Sequence, residues 1–165
     1  SLKDNGRTFT QQFVALPGKS EHQTGLAIDL GLKKESIDFI RPDFPYIGIC
    51  QQFREKSVPY GFIERYPREK EHITGIAHEP WHFRYVGTPH AEIMREHHFC
   101  LEEYIDFLKR FSQDQPYTFY KDSQEIQIFY LKADTESVSL EVAEDGSLSV
   151  SGNNVDGYII TEWRG

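Results

Sequence analysis

Residues 78–82 read His78-Glu79-Pro80-Trp81-His82, and the fold predicted around them depends on whether this stretch is helical. As a bare pattern it is H-E-x-x-H, which in many metalloproteases lies on a helix and binds zinc through both histidines. Pro80 argues against that interpretation, because proline removes a backbone donor and disfavours helical geometry in the residue before it. Residues 83–87 then read as a strand, so no helix continues to carry the pair. We therefore favour a non-helical interpretation of this stretch.

In that interpretation only His82 binds a metal, and Glu79 acts as the general base on the attacking water. His78 is then a neighbour and not a ligand. Further ligands are predicted about fifty residues upstream, where His22 precedes a short strand and Asp29 ends it. Three protein ligands leave one zinc position open, which is the arrangement of a catalytic site.

The composition narrows the class of protein. The chain of 165 residues fits one domain with a small appendage, and its 12 Phe, 9 Tyr and 2 Trp are enough to bury a core. A formal net charge of −8 argues against a nucleic-acid partner. No apolar run approaches the roughly 20 residues needed to span a bilayer. The two cysteines, Cys50 and Cys100, are predicted to be unpaired thiols.

The hydrophobic pattern predicts an α+β fold, a small antiparallel sheet flanked by helices, with a β-rich C-terminal appendage. We place the boundary at residue 112, giving a domain of residues 1–112 and an appendage of residues 113–165. Strands are predicted at 25–30, 62–66 and 83–87, helices at 46–56, 88–98 and 101–111, and β-type runs at 117–120, 126–131, 138–142, 148–151 and 158–163. A short apolar run at residues 13–16 precedes the first metal motif.

Two spaced motifs resemble the zinc D-Ala-D-Ala carboxypeptidase family of VanY and VanXY type. They are Ser20-x-His22-x-x-Gly25-x-Ala27-x-Asp29 and Glu79-Pro80-Trp81-His82-x-Arg84-Tyr85-Val86-Gly87. Residues 61–67 and 73–75, between them, resemble the same family, so the likeness covers roughly residues 13–112.

The resemblance implies a Hedgehog/DD-peptidase-like zinc domain and a single Zn²⁺ ion bound by His22, Asp29 and His82. It implies Glu79 as the catalytic base, and Ser20 and Trp81 as substrate-binding residues, with Ser20 on the terminal carboxylate and Trp81 as a pocket wall. The implied substrate ends in D-Ala-D-Ala, as the free dipeptide or as a peptidoglycan precursor stem, in the context of vancomycin resistance.

One part of the family's pattern is missing, a Ser-Gly-Tyr-Arg-type segment upstream of His22 whose arginine stabilises the developing oxyanion. Arg7 is not in a matching context, so we expect the chain to be the C-terminal portion of a longer protein. A VanXY-like protein is expected in the cytoplasm, whereas a VanY-like one is expected at the cell envelope. Two alternatives stay open, a non-catalytic zinc-binding module of Hedgehog-like fold, and a murein endopeptidase or L,D-carboxypeptidase.

Overall fold

The computed structural model describes residues 20–133, Leu140 and residues 146–164. The predictions for the apolar run at residues 13–16 and for Arg7 lie outside the described residues, as does nearly all of the predicted β run at 138–142. The chain divides between Glu102 and Glu103 into two compact units. Within the described residues no helix is long and apolar enough to cross a membrane.

The first unit is built on a three-stranded antiparallel sheet in which β3 is the central strand and β1 and β2 flank it. The strands are β1 (Ala27–Asp29), β2 (Phe62–Tyr66) and β3 (Glu79–Tyr85), and the helices are α1 (Gly48–Ser57), α2 (Glu71–Thr74) and α3 (His90–His97). Within the described part of this unit, single turns of 3₁₀ helix lie at Glu21–Thr24, Val58–Tyr60 and Arg68–Lys70. The mixed architecture with a small antiparallel sheet confirms the predicted fold class.

Strand β3 begins at Glu79, four residues earlier than the predicted strand at 83–87, and ends at Tyr85. The early start is possible because pairing with β1 begins only at His82, beyond Pro80, which has no N–H to donate. On the other side, the register with β2 shifts between Glu64 and Tyr66, opposite the same segment. This irregularity accommodates the proline in a central strand. Residues 78–82 are therefore not helical, as the proline predicts.

Side chains of β3 alternate between two environments. Trp81 and Phe83 lie in the hydrophobic core cluster with Phe44 and Cys50. Phe83 is fully buried, and its ring centroid lies 5.5 Å from that of Phe44 in an edge-to-face contact. His82, between these two core residues in sequence, lies on the opposite face of the strand, so burial of the aromatic residues directs it away from the core.

Arg54 of α1 fixes the start of β3 from the core side. Its guanidinium donates to the carbonyl oxygens of Phe44 (2.6 Å), Pro45 (2.8 Å) and Pro80 (2.8 Å), and to Glu64 Oε2 (2.8 Å). The sequence pattern groups Ile49, Cys50 and Phe53 on one apolar face of this helix. That is wrong for Ile49, which is 69% exposed, whereas Cys50 is buried and Phe53 packs against the core cluster. Arg54 and Ser57 share the buried face with Cys50, at helical spacing.

Gly61 provides a stability test of this unit. It has φ +85° after the turn Val58–Tyr60, and an added Cβ would lie 2.8 Å from the Cα of Gly87. We expect Gly61→Ala to lower the free energy of unfolding by about 3 kcal/mol, because left-handed strain and overpacking each cost about 1–3 kcal/mol. Gly75 is the matched control, since its φ is +70° but no atom lies within 4 Å of an added Cβ. Gly75→Ala should cost only about 1 kcal/mol from the strain alone. Urea denaturation measures both, and equal losses would mean that the close approach to Gly87 is unimportant.

The described residues of the second unit form a four-stranded antiparallel sheet in the order β4-β5-β7-β6. Its strands are β4 (Tyr117–Lys121), β5 (Gln124–Lys132), β6 (Ser147–Gly152) and β7 (Gly157–Arg164), and helix α4 (Leu101–Leu108) leads into it. Phe107 of α4 and Phe111 both contact the Tyr117 ring of β4, at centroid distances of 5.1 and 5.3 Å. These contacts attach the end of α4 to the sheet and explain why the chain divides ten residues before the boundary expected at 112. The assignment of separate roles to residues 1–112 and 113–165 stays a prediction.

Candidate metal centre

Three elements of the first unit bring His22, Asp29 and His82 together. His22 comes from the 3₁₀ turn Glu21–Thr24, which Gly25 closes in the left-handed conformation at φ 73°. Asp29 ends β1, and His82 lies on β3, directly opposite Asp29 in the antiparallel register. Side chains at paired positions in adjacent strands project to the same face, so the register places Asp29 and His82 side by side. The described residues thus form a His/Asp group that could hold a metal ion.

Two of the separations between candidate ligand atoms are those expected around one tetrahedral ion. His22 Nε2 lies 3.5 Å and His82 Nδ1 lies 3.3 Å from the same oxygen, Asp29 Oδ1. Tetrahedral zinc with ligands at 2.0–2.2 Å separates neighbouring ligand atoms by about 3.4 Å. All three candidate atoms lie within 4.8 Å of one another. The donor set of two imidazoles and one carboxylate also suits zinc, and it leaves a fourth position for water or substrate.

Exposure across the group is uneven. The side chain of His82 is 6% exposed, whereas those of His22 and Asp29 are 40% and 33% exposed. One side of the group is therefore held by packed protein, and the other side is reachable by a ligand from solution.

Glu79 lies next to this group and is itself buried, at 6% exposure. Its Oε2 is 3.2 Å from His82 Nδ1, the nitrogen that also faces Asp29. The Glu79 carboxylate therefore lies beside the His82 nitrogen that is nearest to Asp29. Its role as the base stays a prediction.

His78 is directed away from the group. Its Nε2 lies 2.7 Å from Tyr46 Oη, and its Nδ1 lies 3.3 Å from an Arg68 nitrogen. The imidazole is stacked on the Tyr46 ring at a centroid distance of 5.8 Å. Both ring nitrogens therefore have partners away from Asp29 and His82.

Glu21 is a polar partner of His82 that the sequence analysis missed. Its Oε1 lies 2.9 Å from His82 Nε2, its Oε2 accepts from Arg84 Nη1, and Tyr66 Oη donates to its Oε1 at 3.2 Å. Burial raises the pKa of Glu21, but the His82 hydrogen bond and the charges of Arg65 and Arg84 lower it to about 2. The one available signal was its position beside His22, inside the quoted motif.

The same contacts act on the imidazole of His82. Burial lowers the pKa of His82, but hydrogen bonds to Glu21 and Glu79 and the charge of Asp29 raise it to about 9. A metal ion that binds His82 must therefore displace a proton, so metal binding and proton release are coupled.

The two predicted substrate residues, Ser20 and Trp81, differ in how far they are exposed to solvent. Ser20 is half-buried at the start of the 3₁₀ turn, where its hydroxyl makes no capping hydrogen bond. Trp81 is 7% exposed within the core cluster, which leaves little of its surface for a substrate. Substrate roles for both residues stay predictions.

Comparison with known proteins identifies the family of this chain. A family profile described as VanY, D-alanyl-D-alanine carboxypeptidase, matches residues 1–88, more than half of the chain. The chain belongs to this family. The quoted motifs at residues 20–29 and 79–87 both lie in the matched part, so the VanY family match includes every candidate ligand.

Relatives and solved structures add detail to the VanY assignment. The bifunctional D-Ala-D-Ala dipeptidase and D-Ala-D-Ala carboxypeptidase VanXYC of Enterococcus gallinarum is 56% identical over 109 residues, covering 66% of this chain and 57% of that protein. A D-alanyl-D-alanine carboxypeptidase of Enterococcus faecium is 40% identical over 152 residues, 92% of this chain and 46% of that protein. The crystal structure of the vancomycin resistance D,D-dipeptidase VanXYg in complex with a D-Ala-D-Ala phosphinate analog superposes with a TM-score of 0.95 at 56% identity, covering 99% of this chain and 66% of that one. The chain thus spans about half of the length of the curated relatives that it matches.

Proposed function

We propose that this chain provides the zinc site of a D,D-peptidase that hydrolyses the C-terminal D-Ala-D-Ala bond. The substrate is the free dipeptide or a peptidoglycan precursor stem, and the biological setting is resistance to glycopeptide antibiotics such as vancomycin. The observation that carries the proposal is the spacing of His22, Asp29 and His82 for one ion, beside the buried carboxylate of Glu79. The names of the VanXY and carboxypeptidase relatives support the substrate class.

The three ligands would hold one Zn²⁺ ion. A zinc ion bound there supplies Lewis-acid polarisation of the scissile carbonyl and makes water more acidic. His82 and Asp29, opposite each other on paired strands, are held by the sheet, whereas His22 is held by the adjoining turn.

Glu79 carries out the proton transfers. Its carboxylate takes a proton from the attacking water as the water oxygen bonds to the peptide carbonyl carbon. It then gives that proton to the nitrogen of the leaving D-alanine as the C–N bond breaks. The products are free D-alanine and a new C-terminal carboxylate. Burial of Glu79 suits this role, because a base near the reacting atoms and screened from bulk water transfers protons to a defined partner.

D-alanine release tests the proposal. The zinc-loaded protein is incubated with D-Ala-D-Ala and, separately, with a stem pentapeptide ending in D-Ala-D-Ala, and free D-alanine is measured. We expect release that stops when a chelator removes the zinc and resumes when zinc is added back. A pentapeptide ending in D-Ala-L-Ala is the matched control, and it should release no alanine.

Other outcomes point to the alternatives. Release of D-alanine only from a tetrapeptide, in which a single D-alanine follows an L-residue, would indicate an L,D-carboxypeptidase. Cleavage inside cross-linked stems would indicate an endopeptidase. Stoichiometric zinc binding with no hydrolysis of any of these peptides, even after the missing Ser-Gly-Tyr-Arg-type segment is restored, would indicate a binding module.

A further inference from the structure

The two ring nitrogens of His82 face carboxylates on opposite sides. Nδ1 lies 3.3 Å from Asp29 Oδ1 and 3.2 Å from Glu79 Oε2, on the side of the candidate metal. Nε2 lies 2.9 Å from Glu21 Oε1. A neutral imidazole has one N–H and one lone pair, and a nitrogen that binds a metal must present the lone pair. Which carboxylate receives the N–H therefore decides which nitrogen is free for the metal.

Glu21 is well placed to receive that hydrogen, because it is itself held on several sides. Arg84 Nη1 donates to its Oε2, Tyr66 Oη donates to its Oε1 at 3.2 Å, and Arg65 Nε lies 3.4 Å from the same Oε1. The Glu21 side chain is only 14% exposed. With two arginines beside it, the carboxylate stays ionised and acts only as an acceptor toward His82.

Arg65 is fixed in turn by a second carboxylate. Its two terminal nitrogens donate to Glu102 at 3.0 and 2.6 Å in a bidentate pair. Glu102 and Glu21 therefore both contact Arg65, but of the two only Glu21 contacts the imidazole of His82. This difference gives a control inside the same network.

The turn that carries Glu21 also carries a candidate ligand, since His22 is the next residue. Glu21 extends from this turn to His82 on β3, 61 positions along the chain. The turn thus supplies one ligand directly and orients another through a hydrogen bond.

We propose that Glu21 is a positioning residue that accepts the Nε2 hydrogen of His82 and so presents Nδ1 to the metal. This inference rests on the zinc site of the proposed function, but it concerns a residue that touches neither metal nor substrate. Partners of metal-bound histidines of this kind are typically worth 10–100-fold in metal affinity.

The test measures zinc affinity by competition with a chromophoric chelator in wild type, Glu21→Ala, Glu21→Gln and Glu102→Gln. We expect Glu21→Ala to bind zinc about 10–100-fold more weakly than wild type, and Glu102→Gln to stay within about threefold. Equal weakening in Glu102→Gln would assign the effect to the arginine network and overturn the proposal. If Glu21→Ala fails to fold because two arginines lose their partner, Glu21→Gln carries the comparison. The two Glu21 oxygens face His82 Nε2 and Arg84 Nη1 separately, and an amide has only one oxygen to accept from both, so at least about a tenfold loss is expected.

A second measurement needs no variant beyond an assignment control. Long-range ¹H–¹⁵N spectra of the zinc-loaded wild type identify which ring nitrogen carries hydrogen, and His82→Gln assigns the signal. We expect hydrogen on Nε2 of His82, and hydrogen on Nδ1 would overturn the inference. Failure of the proposed zinc site is recognised separately, since the wild type itself would then bind no zinc in the competition assay.

Discussion

Replacing Glu79 by alanine is expected to lower the rate of D-alanine release by two to four orders of magnitude and to leave zinc content unchanged. General-base catalysis contributes about 10²–10⁴-fold, and the variant removes the carboxylate that lies 3.2 Å from His82 Nδ1. Zinc should remain because Glu79 is not among the three residues whose donor atoms are spaced for the ion. Steady-state release of D-alanine and metal analysis of the same purified sample measure the two effects.

Two further variants make this prediction specific. Glu79→Gln keeps the shape of a side chain that is almost fully buried, so a comparable loss of rate shows that the charge matters and not the packing. Glu55→Gln removes an exposed carboxylate of α1 and should change neither rate nor zinc. A Glu79→Ala rate within tenfold of wild type would exclude Glu79 as the base. Loss of zinc together with activity would instead make it a ligand.

The sequence predicted the three candidate ligands that the structure brings together, and a non-helical segment at residues 78–82, for physical reasons that can be traced. Pro80 excluded a helix, and a strand cannot place two residues four apart as a helix does, so His78 and His82 had to separate. The alternation of buried Trp81 and Phe83 with His82 then follows from strand geometry alone. Asp29 could be placed at the end of a short strand, although its register opposite His82 depends on pairing that sequence does not show.

The parts that the sequence did not predict depend on contacts between distant residues. Glu21 and Arg54 are charged residues in segments that read as polar turn and amphipathic helix, and nothing local marks them as buried. Each is buried because its partners arrive from elsewhere, Arg84 and His82 for Glu21 and the carbonyl of Pro80 for Arg54. Buried charges of this kind occur where ion pairs and hydrogen bonds offset desolvation, which periodicity does not encode.

The boundary between the two compact units also depends on contacts that periodicity does not encode. The hydrophobic pattern identified α4, but it could not show whether its aromatic side chains pack backward or forward. Contacts of Phe107 with Phe111 and Tyr117 attach the helix to the sheet that follows. The composition shift near residue 112 indicates where the strands of the appendage begin. The compact unit begins earlier, at Glu103, because it includes most of α4.

The two histidines of the 78–82 stretch should differ sharply when each is replaced by glutamine. We expect His82→Gln to weaken zinc binding by more than about 100-fold, because it removes one of three protein ligands, a larger change than loss of a ligand's partner. His78→Gln should keep full zinc content, since the ring nitrogens of His78 face Tyr46 and Arg68 and not the candidate site. Metal analysis after dialysis against a weak chelator compares the two variants at equal protein concentration.

The matched pair also controls for folding. Both histidines have largely buried side chains, 6% exposed for His82 and 12% for His78, so unspecific damage should affect both variants similarly. Circular dichroism of the metal-free proteins should therefore show the same secondary structure in each. Equal loss of zinc from two folded variants would restore the helical H-E-x-x-H interpretation, in which both residues are ligands. Loss confined to His82→Gln would mean that a proline within the pattern is enough to distinguish this strand-borne site from the helical metalloprotease motif that shares its letters.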